Sequence, residues 1–409
     1  MRRELLIAAG PGEWRAALLE AGLPVELHVE RGDRSEAGSI HLGRVLRLLP
    51  ALGAVLVDLG DERPAFLPRR ETEPRGRPLC EGERVIVQIR REAQGGKAAR
   101  ITERLRLQSP VGASQASAEF VPEEPRRRVI LDQAAALDPP VRLGPAASFA
   151  AVLAGALTGP PMYIFVDDPA AIPEIRAAFS DIGVEHLPET EWPIELDAAF
   201  AEALSETVSL PSIGAVHFEA TRAGVLIDVD SGTAETGSAE RIGLATNLDA
   251  AACIARQIRL RNLGGSIVVD FVGLDSRTLR EKVRMALAEA LAPDPAGPQI
   301  LGWTRLGHLE LVRPRRGRPL AEALLEPRLG GAHAKTAVTV AHEALRALRR
   351  ETRAEPSRQW RLIVAPDVAA VLAGTAASAL QAAERRFARN IAIETDPGRD
   401  RERFEIARV

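Results

Sequence analysis

Gly224-Val-Leu-Ile-Asp228-Val-Asp230 and Gly264-Gly-Ser-Ile-Val-Val-Asp270-Phe are the two stretches that decide how this chain is read, with Asp270 falling 42 positions after Asp228. Each is a short apolar run of strand type that opens on glycine and carries aspartate at or near its end, where a buried sheet hands side chains to a surface cleft. Carboxylates held there by neighbouring strands offer hard oxygen donors to Mg²⁺ or Mn²⁺, ions that keep several waters and share a substrate phosphate. Asp228 and Asp270 are therefore the candidate metal ligands. Together with Asp230 they are the candidate catalytic residues, and the chemistry indicated is that of phosphodiesters. Taken singly, each aspartate reads more readily as a turn cap or as the partner of an arginine.

Outward from these strands the chain alternates. Ala215–Glu219 reads as a strand, Asn247–Leu260 and Ser276–Leu291 as helices, and Gln299–Trp303 and His308–Val312 as a strand pair, which together imply a mixed sheet with flanking helices. Upstream, residues 1–30 read strand, helix, strand, with the helix placed on Pro11–Ala21 and stopped by Gly22. From Ser39 to about Leu107 the period changes to five short strands with glycine corners, which suggests a small closed barrel of the oligonucleotide-binding type. Residues 124–161 are rich in Pro, Ala and Gly and carry the weakest pattern. Tyr163–Val166 reads as a strand, Asp168–Phe179 and Leu196–Val208 as helices, and residues 332–409 as an α/β tail after a Gly330-Gly linker.

With 409 residues and 46% apolar content the chain is long enough for two to four well-buried domains. A net charge of −3 gives no global basic field, but only Lys97, Lys282 and Lys335 among the 53 cationic residues are lysine, and arginine offers a planar fork for phosphate. Cys80 and Cys253 imply neither a disulfide framework nor a thiolate zinc site, which fits a reducing cytoplasm. The longest nearly uncharged stretch, Leu143 to Val166, is broken by Gly144, Pro145, Gly159, Pro160 and Pro161, so no membrane span is expected.

The order of these parts, with a barrel after the first unit and both aspartate strands downstream, closely resembles the ribonuclease E/G family over most of residues 1–325. The segments that carry the resemblance are Gly43-Arg-Val-Leu-Arg-Leu-Leu-Pro, Val55-Leu-Val-Asp-Leu-Gly, Ile227-Asp-Val-Asp-Ser-Gly, Thr246-Asn-Leu-Asp-Ala-Ala, Arg256-Gln-Ile-Arg-Leu-Arg-Asn-Leu-Gly-Gly and Leu301-Gly-Trp-Thr-Arg-Leu-Gly-His-Leu-Glu-Leu. The resemblance implies an α/β (α+β) multidomain chain. A ribonuclease-H-like domain (1–34 and 162–208) is interrupted by an OB-type RNA-binding barrel (35–107) and a shortened, degenerate 5′-sensor-like segment (108–161). A DNase-I-like catalytic domain (209–325) and a small C-terminal α/β domain (326–409) follow.

It also implies a cytoplasmic, Mg²⁺-dependent endoribonuclease cutting single-stranded RNA, with Asp228 and Asp270 on the ion and an activated water as nucleophile. Phe66 matches a family position that stacks on a base, and Lys97 one that attracts phosphate. Arg313 and Arg315 are further candidate phosphate contacts. Asp230 stands where the family usually has Asn, Leu56 where it has an aromatic, and Leu143 where it has the Thr of an Arg-Thr pair that reads RNA 5′ ends. No cysteine lies near Gly330, so the family's zinc link is not expected, which leaves room for a homo-oligomer without a zinc bridge. Two other functions remain open: a catalytically weakened RNA-binding or regulatory protein, and a metal-dependent phosphodiesterase for small nucleotides.

Overall fold

A computed structural model describes residues 2–31, 38–61, 63–74, 77–91, 93, 98–105, 123–143, 148–211, 213–232, 239–328 and 333–408. The chain forms two compact units, one of residues 32–155 and 174–181, the other of residues 1–31, 156–173 and 182–409. Two of the four passages between them fall in α2 (Phe149–Ala156) and α3 (Ile172–Ala178).

The first unit is built on the barrel. Strands β4 (Ile40–Leu49), β5 (Ala54–Asp58), β6 (Ala65–Pro68), β7 (Arg84–Arg91) and β8 (Arg100–Thr102) pair in the order β5-β6-β8-β7-β4, and a β4–β5 pairing closes the ring. All five lie where the strand periodicity placed them. Val45, Val55, Val57, Leu67, Val85, Val87, Ile89 and Ile101 fill the interior. Closure demands a close approach at Gly43, where an added Cβ would stand 2.5 Å from a Val57 methyl and 2.8 Å from the Asp58 carbonyl. The weakly patterned segment supplies α1 (Glu123–Ala136) and a short β9 (Val141–Leu143) that extends the barrel sheet beside β4.

The second unit contains a five-stranded sheet of order β11-β10-β1-β2-β3, from β1 (Arg3–Ala9), β2 (Glu13–Glu20), β3 (Leu23–Arg31), β10 (Tyr163–Val166) and β11 (Gly183–His186). Here the expected helix at Pro11–Ala21 is a strand. Its sequence has helix-forming composition, but β2 is paired on both edges and buried nearly throughout, and tertiary pairing overrides local propensity. Ala21 (φ 51) and Gly22 (φ 82) form the two-residue hairpin turn into β3 with positive φ at both positions.

A second sheet runs β12-β13-β14-β15-β17-β16, from β12 (Thr207–Ser209), β13 (Ala215–Ala220), β14 (Val225–Asp230), β15 (Gly265–Asp270), β16 (Gln299–Trp303) and β17 (Leu309–Arg313). Only β14 and β15 run parallel in it. The crossover between them is α5 (Ala239–Leu260), eight residues longer at its start than the sequence indicated. Ala250, Ile254 and Ile258 of α5 and Val283, Leu287 and Leu291 of α6 (Arg277–Leu291) cover one face of the sheet, meeting Ile227, Val229, Ile267, Val269, Leu309 and Leu311.

The tail begins after α4 (Leu196–Leu204) and α7 (Leu320–Leu324) have packed on the first sheet. It comprises the pair β18 (Leu325–Pro327) and β19 (His333–Lys335), helices α8 (Ala337–Ala354), α9 (Pro366–Ala373) and α10 (Ala377–Phe387), and a sheet of order β21-β20-β22 from β20 (Trp360–Val364), β21 (Ala392–Thr395) and β22 (Glu405–Arg408). The Gly330-Gly linker lies outside the described residues.

Candidate metal and RNA-binding site

Parallel pairing brings the two aspartates together. The register of β14 and β15 matches Val225 with Ile267, Ile227 with Val269 and Asp228 with Asp270. Alternation sends Val225, Ile227 and Val229 into the core and Leu226, Asp228 and Asp230 outward; on β15, Ile267 and Val269 point in and Asp270 out. Neighbouring strands lie about 4.7–4.9 Å apart. Two carboxylates remote in sequence thus stand side by side on the exposed face opposite α5 and α6, at the carboxyl ends of parallel strands, where α/β sheets place ligands.

Local packing explains the flanking motifs. A Cβ on Gly224 would come within 2.4 Å of the Ser266 carbonyl, so glycine permits the close start of β14 beside β15. Beyond Asp270, the side chain of Asn247 braces the chain twice. Its Oδ1 accepts the Val272 N–H at 2.9 Å and its Nδ2 donates to the Val272 carbonyl at 2.8 Å. Sequence reading quoted Asn247 as part of a motif without giving it this role.

Asp230 is separated from the pair. It lies two residues, about 6.6 Å, further along β14, and its Oδ1 accepts the Gly232 N–H at 2.9 Å as a turn cap. Among the described residues no three His, Cys, Asp or Glu side chains stand arranged to hold a metal, and no ion pair joins a Lys or Arg to Asp228 or Asp270. The arrangement is a pair of exposed carboxylates that, among the described residues, no lysine or arginine neutralises. That donor set fits a hard divalent ion that retains most of its waters. Cys253 offers no competing nucleophile, since burial pushes its thiol up and keeps it protonated.

On the barrel, Phe66 is half-buried on the outer face of β6, paired with Leu56 on one side and Arg100 on the other. The register continues to Arg47 beyond Leu56 and to Arg91 beyond Arg100, so a phenylalanine and a leucine sit in a row flanked by guanidinium groups. Among the described residues none of these three arginines takes part in an ion pair. Lys97 lies outside the described residues.

Arg313 is not a phosphate contact. It is 1% exposed, its Nε donates to Asp294 at 2.6 Å, and its Nη1 donates to the Leu263 carbonyl at 2.8 Å. The signal was present in the sequence: in Leu309-Glu-Leu311-Val-Arg313 the arginine is in phase with the two buried leucines. Arg315, beyond the strand, is exposed, with its Nε near the Gly264 carbonyl at 3.3 Å.

Residues 160–316, which include the aspartate pair, match the ribonuclease E/G family. Over 491 aligned positions the chain is 26% identical to ribonuclease G of Escherichia coli (strain K12), with 99% of each protein covered. It is 27% identical to ribonuclease G of Haemophilus influenzae, covering 98% of this chain and 99% of that one. Ribonuclease E of Haemophilus influenzae is likewise 27% identical, over 100% of this chain but 52% of that protein's length. The likeness to ribonucleases G and E thus runs over nearly the whole chain, and the match to the ribonuclease E/G family falls across the aspartate strands.

Proposed function

We propose that this protein is a divalent-metal-dependent endoribonuclease that hydrolyses single-stranded RNA, with Asp228 and Asp270 holding Mg²⁺ or Mn²⁺. The observation that carries this is the in-register placement of Asp228 and Asp270 on adjacent parallel strands, on the exposed face of their sheet. A cation held there supplies charge stabilisation at the scissile phosphate and makes a nearby water a better nucleophile. The protein's own share is positional. Rigid pairing of β14 with β15 and the Asn247 brace fix the carboxylates, and no side-chain nucleophile is required. On the barrel, Phe66 offers one stacking platform and Arg47, Arg91 and Arg100 offer phosphate contacts, a combination suited to an unpaired strand.

The five-stranded order β11-β10-β1-β2-β3 supports the ribonuclease-H-like assignment of residues 1–34 and 162–208, and residues 209–325 supply the DNase-I-like catalytic part. Free thiols at Cys80 and Cys253 agree with a cytoplasmic location. Any homo-oligomer forms without a zinc bridge.

A second reading, a family member that binds RNA but cleaves it weakly, draws on two observations. Leu56 stands beside Phe66 where a second ring would complete the platform, and the Asp230 carboxylate is engaged by Gly232. Cleavage of a fluorescent single-stranded RNA with Mg²⁺, with EDTA, and by the Asp228→Ala protein separates the two. Cutting that needs Mg²⁺ and Asp228 supports the enzyme; tight binding without cutting supports the alternative.

A further inference from the structure

The aspartate pair is the middle of a longer row. Across the open face, Thr207 pairs with His217, His217 with Asp228 and Asp228 with Asp270; His308 stands immediately before Leu309, the partner of Val269, and so flanks Asp270. Two histidines therefore bracket two aspartates at one level of the sheet.

The two histidines are held in different ways. The Nδ1 of His217 is 2.9 Å from the Thr207 hydroxyl, so that ring is engaged by Thr207. His308 is fixed through its backbone in the hairpin turn. Its N–H donates to the Thr304 hydroxyl at 3.1 Å, and its carbonyl accepts the Thr304 N–H at 2.8 Å, next to Gly307 at φ +96°. The Nε2 of His308 lies 3.5 Å from Oδ2 of Asp270, an ion-pair distance between side chains exposed enough (34% and 58%) to close into a hydrogen bond.

We propose that His308 is a positioning residue for the metal-holding pair: it engages one oxygen of Asp270 and turns the other oxygen toward the ion. The inference rests on Asp228 and Asp270 being the metal-holding pair. With only two carboxylates on the ion, the groups that orient them carry much of the affinity, and losing such a partner costs roughly 10–100-fold in metal binding.

The test uses Mn²⁺ as the probe with the full-length chain, counting free ion by electron paramagnetic resonance. His308→Leu weakens Mn²⁺ binding by about 10–100-fold, whereas His308→Gln, which keeps an N–H donor, recovers most of it. Electron-spin-echo spectra of bound Mn²⁺ show no directly coordinated nitrogen. Equal binding by wild type and His308→Leu overturns the inference, as does a Gln variant no better than Leu, or the nitrogen coupling of direct ligation. These failures differ from failure of the metal site itself, in which wild type shows no Mn²⁺ binding that Asp270→Asn removes.

Discussion

The second unit places its carboxylates in two contrasting settings. Under the first sheet every one is matched: Glu13 is 1% exposed among Arg15, Arg31 and Arg346, Glu26 shares Arg259 with Glu20, and Asp167 meets Arg349. Burial alone would raise the Glu13 pKa, but the guanidinium groups of Arg15, Arg31 and Arg346 outweigh it and hold this carboxyl well below the usual range. On the second sheet, Asp228 and Asp270 stand exposed with histidines in register beside them and, among the described residues, no arginine paired to either. The same residue type thus does opposite work. A carboxylate neutralised within the chain organises the fold, and two left without a cation in register offer a place for one from solution.

The sharpest way to break this contrast is to remove charge from each setting in turn. Asp270→Asn should cut RNA cleavage by roughly 10²–10⁴-fold, because a metal's charge stabilisation is worth several kcal/mol and about 1.36 kcal/mol is tenfold in rate. Thermal stability should hardly change, since an exposed side chain without an ion-pairing arginine is replaced by a near isostere. If cleavage survives at more than a tenth of wild type in a Mg²⁺ assay, the open pair is not the catalytic metal site.

Glu13→Gln should do the reverse. It strands the guanidinium groups of Arg15, Arg31 and Arg346 in a buried setting, and breaking such a set by removing one partner costs about 3–5 kcal/mol. Urea unfolding should show that loss, while the fraction that remains folded keeps its dependence on Mg²⁺. The pH response follows the same cluster. Glu13 and Glu26 both titrate below the ordinary glutamate value, Glu26 because hydrogen bonds from His28, Thr158 and Arg259 overcome its burial. A depressed carboxyl contributes stability above its unfolded pKa of about 4.3, and that contribution drains away as pH falls from there toward the lower folded values. Unfolding midpoints should therefore fall steeply below about pH 4.3 in wild type and less steeply in Glu13→Gln.

The barrel and the aspartate strands were legible because their hydrophobic period is two, with glycines at the corners, and because burial on alternate sides is written into Val-Leu-Ile-Asp-Val-Asp itself. The Pro11–Ala21 segment was misread for a corresponding reason: a strand buried on both faces has no alternation, and Glu-Trp-Arg-Ala-Ala-Leu-Leu-Glu carries helix-forming residues. Its charged members are tolerated inside because arginines from β3 and α8 reach them, pairings 18 and 333 residues apart that no local pattern encodes. The row joining Thr207, His217, Asp228, Asp270 and His308 was hidden likewise, since it exists only once register is known.

A smaller effect bears on the barrel row of Phe66 and Leu56. Phe66→Ala should weaken binding of a short single-stranded RNA by roughly 1–3 kcal/mol if one base stacks there, and Leu56→Phe should strengthen it by up to a similar amount. Fluorescence anisotropy at fixed salt checks both. Unchanged affinity in the two variants would mean that this row of the barrel is a solvated surface and not a platform.

The smallest expected change distinguishes two arginines that sequence treated alike. Arg315 is exposed, and if it meets one phosphate, Arg315→Ala should raise Kd less than tenfold and lower the slope of log K against log salt by about 0.7, the value for one contact on a single strand. Arg313→Ala removes the buried partner of Asp294 and should instead cost about 3–5 kcal/mol of stability while leaving the salt slope of the folded protein intact. A salt slope that falls in Arg313→Ala but not in Arg315→Ala would reverse the assignment. It would require Arg313 to leave Asp294 and Leu263, and with them the closing contact of β17 against the end of α5, which the alternation of Leu309, Leu311 and Arg313 into the core opposes.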